Sequence, residues 1–160
     1  MDPSFLKART VTLKKNVMLY DIDQLSLALS KSAGQNARQA DNIATDTSED
    51  TETFTRLMDA RVAELKSLLA KYITSLTQAS GDNTLVTANY VFNLTFTTET
   101  EDNTLDSIIK LMHDYVVKAT LSDWYTENNV GPAQNLLTLA QADMARINEL
   151  ILYKPIPDMQ

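Results

Sequence analysis

Cysteine is missing from this 160-residue chain. That excludes disulfides and thiolate metal sites, and it leaves the redox compartment open. Glycine occurs three times, at Gly34, Gly81 and Gly131, too sparsely for a phosphate-cradling loop. Four prolines and three glycines mean few breaks, hence long elements and few tight turns. Histidine and tryptophan occur once each, as His113 and Trp124. No stretch approaches the ~20 apolar residues of a membrane span. Residues 1–15, MDPSFLKARTVTLKK, lack the apolar run of a signal peptide, so the expectation is a protein made and used in the cytosol, or assembled there into something larger. Cations are also scarce. Fourteen Lys and Arg stand against 21 Asp and Glu, the net charge is −7, and no basic cluster exceeds Lys14-Lys15. A phosphate backbone or an anionic membrane needs matching cations, so neither specific nucleic-acid binding nor membrane adhesion is expected.

What is present is pattern. Over residues 9–19, Val11, Leu13, Val17 and Leu19 alternate on one side, interrupted by Lys15, and predict an edge or irregular strand. A short helix follows, capped by Asp21 with Gln24, striped by Ile22, Leu25 and Leu29, and stopped at Gly34. Residues 35–50 are polar and predict a surface loop, with Thr47 and Asp50 spaced as a second capping box. The next helix carries Phe54, Leu57, Met58, Leu65, Leu68, Leu69, Tyr72 and Leu76 at three- and four-residue steps. The period then changes to two. Val86, Ala88, Tyr90, Phe92, Leu94 and Phe96 alternate with mostly polar residues and predict a long strand with one wet face. A third helix starts at Asn103 or Thr104, and Leu105, Ile108, Ile109, Met112, Val116 and Ala119 share its apolar side. Pro132 opens the last helix, whose seam runs through Leu136, Ala140, Met144, Ile147 and Ile151, and Pro155 ends it.

The reading is a single α+β domain over 1–160, mainly helical. It has about four helices, one long amphipathic β-strand and a second strand completing a small sheet or ribbon. Extended tails occupy 1–8 and 153–160, and the polar loop 35–50. A two-stranded ribbon is marginal alone, so the long strand is expected either to lie on the helices or to pair with a neighbouring subunit.

No constellation of reactive groups emerges. His113 has no carboxylate three or four residues away to orient it, which predicts a helix-margin residue rather than a general base. The acids between 46 and 52 lack the glycine and the closing Glu of a calcium loop and read as helix-start charges. Tyr90, Phe92 and Phe96 lack flanking cations and read as core rather than base-stacking residues. Trp124-Tyr125 reads as the end of a core. No catalytic residue, cofactor-binding residue or metal ligand is assigned, and an enzyme is not expected. Apolar residues on segments without their own period point instead to contacts with partners. These are Phe5, Leu6, Val11 and Leu13 near the start, and Tyr153, Pro155 and Ile156 near the end.

One series of features carries a resemblance. TDTSEDTETFTRLMDARVAELKSLLAKYI leads into a helix, an alternating strand follows, then TLDSIIKLMHDYVVKATLSDWYTENN, and finally a helix ending in INELILYKPIPD. Tyr115, Val116, Val117, Ala119, Leu121, Asp123-Trp124-Tyr125 and Leu152-Tyr153-Lys154-Pro155 are the matching positions. This series resembles the small head–tail connector, or neck, proteins of Bacteroides-infecting, crAss-like phages. The resemblance spans roughly residues 40–157 and leaves out the first forty residues; Asp158 departs from the more basic end typical of the family. It implies a structural virion protein, assembled in the bacterial host cytoplasm, that forms a homo-oligomeric ring. Its implied partners are the portal and adjacent neck or tail proteins, and DNA passes through the ring. It implies no catalytic residues. The alternative is a free cytosolic helical protein-interaction module, also without catalytic activity.

Overall fold

The computed structural model describes residues 6–32, 44–70, 73–78, 89–97, 102–128 and 132–152. The element order is β1 (Leu6–Leu13), α1 (Lys15–Ser32), α2 (Thr51–Leu68), β2 (Ile73–Gln78), β3 (Tyr90–Thr97), α3 (Asp102–Glu127) and α4 (Ala133–Leu152). The fold is α+β and mainly helical, with four helices and one small antiparallel sheet.

The sheet has three strands in the order β1-β3-β2. β1 pairs antiparallel with β3, placing Val11 opposite Phe92 and Leu13 opposite Tyr90. β2 pairs antiparallel with the other edge of β3, with an irregularity between Ile73 and Ser75. The alternation expected of β3 holds over the described residues: Tyr90, Phe92 and Leu94 are buried, while Val91, Asn93 and Thr95 are half-buried. Residues 86–88 of the expected strand lie outside the described residues. Pairing of β3 with a neighbouring subunit does not occur. Both of its edges are taken by strands of its own chain, so its backbone has no open ladder to offer.

Two boundaries differ from the sequence expectation. The strand at the start ends at Leu13 instead of running through Leu19, and α1 begins at Lys15. Its first turn is closed by Met18 N–H donating to Lys14 O at 3.0 Å. The amide of Lys15 donates to Asn89 Oδ1 at 3.2 Å, so a side chain just before β3 serves one of the orphan amides of this helix start. Asp21 therefore lies inside α1 and caps nothing. Met18, Leu19, Ile22 and Ser26 are buried along the inner side of α1, with Leu25 and Leu29 packed against the core. The second difference is at α2, which stops at Leu68 although the apolar steps continue to Leu76. Leu69 takes the C-cap position, and β-branched Ile73, Thr74 and Thr77 then fall in a strand that has β3 to pair with. Tyr72 lies outside the described residues.

Helix α3 is the centre of the molecule. Tyr115, Val116, Val117, Ala119, Thr120, Leu121 and Ser122 are all buried, so this part of the helix is enclosed on every side. α1, α2 and α4 pack around it. Ser122 Oγ donates to Ala133 O at 2.7 Å and Lys118 Nζ to Asp143 Oδ2 at 2.9 Å. Falling numbers in α3 thus meet rising numbers in α4, as in an antiparallel helix pair. Pro132 precedes α4, and its carbonyl accepts the amide of Leu136 at 3.1 Å.

Candidate functional site

The titratable groups were followed first, because a reactive centre would be built from them. Lys15 is only 2% exposed. Its Nζ lies 5.0 Å from the centroid of the Tyr90 ring and 3.9 Å from Asp59 Oδ1, and the Tyr90 hydroxyl donates to the same Asp59 oxygen. Burial lowers the Lys15 pKa, opposed by the charge of Asp59. Burial also raises that of Tyr90, helped by its bond to Asp59 and then by the carboxylate charge. An amine, a phenol and a carboxylate in contact are chemically suggestive. The enclosure of Lys15 instead makes the group a buttress, joining the start of α1 to α2 and β3. Lys15 had been expected to interrupt a strand; it is an internal cation under an aromatic ring.

Arg61 makes a two-pronged contact with Asp123, Nε to Oδ2 and Nη2 to Oδ1, each 2.6 Å, and its Nη1 donates to Glu64 Oε2 at 2.8 Å. The hydrogen bond with Asp123 is the main reason the Arg61 pKa is raised further above its ordinary value. Phe54 stacks on Trp124 with centroids 5.5 Å apart, and Trp124 meets Tyr125 edge-on at 5.7 Å. Tyr125 is buried, as expected of a core-finishing pair, and these contacts fasten α2 to α3.

His113 does have a carboxylate partner, from outside its own helix. Its Nε2 lies 2.6 Å from Asp21 Oδ2 on α1, across 92 residues of sequence. Helix spacing within α3 could not reveal that pair. Asp23 organises a further polar group. Its Oδ1 accepts from Thr45 Oγ1 at 2.8 Å and from the Thr47 amide at 3.0 Å, and its Oδ2 accepts from Thr47 Oγ1 at 2.9 Å. Ser26 Oγ accepts the Thr45 amide at 2.9 Å. The end of the predicted polar loop is therefore pinned to α1. Thr47 is buried and spends its hydroxyl on Asp23 rather than on a capping box, and Asp50 stands at the N-cap of α2 without a side-chain cap bond. Residues 35–43 of that loop lie outside the described residues.

These polar groups join elements to one another. Among the described residues no cluster of three or more His, Cys, Asp or Glu is arranged to hold a metal. Of the residues expected at an interface, Val11 and Leu13 are 2% and 1% exposed. They point from β1 into the core beside Phe92 and Tyr90, so they are not a contact surface. Leu6 opens β1 opposite Thr97. Phe5, Tyr153, Pro155 and Ile156 lie outside the described residues.

The exposed apolar surface is on helices. Val17, Tyr20 and Leu27 stand out from α1, with Tyr20 at 61% exposure, and Leu139 stands out from α4 at 52%. Tyr20 and Leu27 are seven residues apart, so they share one side of α1, with Val17 three residues before Tyr20. The two helices sit on different sides of α3. His113, which meets α1, and Lys118, which meets α4, are five positions apart, or roughly 140° around the helix. The spacing of Val17, Tyr20 and Leu27 was present in the sequence. It was hidden by reading residues 9–19 as one strand.

Comparison with protein-family models, with curated proteins and with solved structures gives no match. No described helix is long and apolar enough to cross a membrane.

Proposed function

We propose that this chain is a structural, non-catalytic subunit of a tailed-phage virion: a head–tail connector that assembles into a ring in the neck. The observation that carries this reading is the exposed apolar side of α1, Val17, Tyr20 and Leu27, on a chain whose core is otherwise closed. A second, unlike apolar position on α4, Leu139, faces another direction. Two different surfaces meeting head to tail give a heterologous contact, the kind that closes into rings. The sequence resemblance to crAss-like phage neck proteins supplies the virion setting and the portal and neck neighbours. The net charge of −7 suits a wall that DNA must pass without adhering.

Sedimentation velocity on the whole chain tests the reading. A discrete oligomer is expected, and Tyr20→Glu with Leu27→Glu is expected to reduce it to folded monomer, as judged by an unchanged far-ultraviolet spectrum. A wild-type chain that stays monomeric at high concentration overturns the ring and leaves the monomeric interaction module.

A further inference from the structure

The order β1-β3-β2 leaves β1 with one edge unpaired among the described strands. A groove of about 340 Å³ runs along that strand. One wall is Arg9, Thr10 and Val11 of β1; the other is Leu105, Asp106 and Ile109 of α3. Three consecutive strand residues line it, so it follows the strand's edge and not just one face, since successive side chains point to opposite faces. Its floor is apolar, with Val11 and Leu105 buried, and its rim carries exposed Arg9 and Asp106, one charge of each sign. A groove between an open strand edge and a helix suits an extended peptide that adds a strand and lowers alternate side chains onto the helix.

We infer that this groove receives residues 153–160 of a second copy of the chain, which adds to β1 as a fourth strand. This rests on the ring-subunit reading and specifies one of its contacts. The segment reads YKPIPDMQ. In an extended chain the amides of alternate residues point to opposite edges. Pro155 and Pro157 have no N–H, so a strand made from this segment donates only from the edge of Lys154, Ile156 and Asp158. It can join an open edge and then ends the sheet, because its outer edge has lost its donors. Ile156 falls on the same face as Lys154 and Asp158, giving one apolar side chain for the floor and one charge of each sign for the rim.

Reach decides between the chain's own segment and a neighbour's. α4 is antiparallel to α3, so its last residue, Leu152, lies beside the first turns of α3 where the groove is. The groove residues, however, are roughly 140° around α3 from Lys118 and Ser122, which meet α4. Following the outside of a helix over that arc takes roughly 20 Å. Ile156, four residues beyond Leu152, reaches about 14 Å at full extension. The neighbour's segment has no such detour. Donor segment and acceptor groove are different surfaces, so the contact is head to tail and supports ring closure.

The test compares whole-chain wild type with Ile156→Asp, Asp106→Lys and the pair Asp106→Lys with Lys154→Asp, by sedimentation velocity and hydrogen exchange. Ile156→Asp is expected to weaken self-association about tenfold or more and to speed exchange within residues 9–13. Asp106→Lys is expected to act in the same direction, and the charge-swapped pair to recover part of the loss. Wild type that assembles, with Ile156→Asp changing neither assembly nor exchange, overturns the groove assignment and leaves the ring reading standing. Monomeric wild type overturns the ring reading. If Ile156→Asp still speeds exchange in that monomer, the segment occupies its own groove and the second copy is excluded.

Discussion

Lys15 shows how one residue can oppose the fold that encloses it. Burial outweighs the attraction of Asp59, so the folded chain holds this proton less tightly than the unfolded chain, whose value is 10.5. The unfolded state then binds more protons in the window below 10.5, and stability rises with pH as it passes through the folded pKa. Tyr90 acts with the opposite sign. Its folded pKa lies above the ordinary 10.0, so the folded state keeps a proton that the unfolded chain releases, and stability falls as pH climbs past 10.0. Urea melts between neutral pH and 10.5 separate the two: Lys15→Met removes the rise and Tyr90→Phe removes the fall. At neutral pH, Lys15→Met is expected to leave stability unchanged or to raise it by about 1 kcal/mol, because a buried ammonium gives way to an apolar chain of similar length. A loss of more than about 2 kcal/mol would mean that the contacts with Asp59 and the Tyr90 ring outweigh the desolvation. Two other residues carry an uncompensated cost. Thr55 and Thr120 are buried with hydroxyls that have no partner. Thr55→Val and Thr120→Val are each expected to stabilise by about 1 kcal/mol, read as an upward shift of the melting midpoint.

At the scale of elements, Arg61 and Asp123 are the firmest tie between α2 and α3. Arg61→Ala leaves a half-buried carboxylate facing the gap and is expected to cost about 2–3 kcal/mol. In a double-mutant cycle, adding Asp123→Ala should cost little more; full additivity would show that the two residues act independently. Much of this scale was legible in the sequence. The two-residue period of Tyr90, Phe92 and Leu94 and the three- and four-residue steps of α3 and α4 are enforced by burial against several neighbours, and both periods survive in the fold. The errors have local causes. Val11, Leu13, Lys15, Val17 and Leu19 mimic one alternating strand because β1 meets α1 with a single residue, Lys14, between them, and the alternation runs across the junction. The spacing of Leu65, Leu69, Tyr72 and Leu76 mimics a continuing helix, yet residues from Ile73 pair with β3, a gain that no local window contains. The candidate surface was legible only in part, since Val17, Tyr20 and Leu27 line up only once α1 is known to begin at Lys15. The pairs His113 with Asp21 and Asp23 with Thr47 join distant segments, and sequence spacing carries no trace of them.

For the whole molecule, three helices surround α3 and a small sheet has its central strand fully paired. A closed core of this kind confines any assembly to helix exteriors and sheet edges. Mixing salt with the oligomer provides a further check: contacts centred on Tyr20, Leu27 and Leu139 are apolar, so raising ionic strength at a net charge of −7 is expected to strengthen association by screening like-charge repulsion. Dissociation by salt would instead point to a contact held by ion pairs. The position of β3 also has a consequence for synthesis. β1 is translated first, but its mate lies far downstream; Thr10 bonds Asn93 across 83 residues. On the ribosome the leading strand must wait, unmatched, until most of the polypeptide has emerged. During that interval neighbouring nascent chains on one polysome are its nearest rivals for pairing.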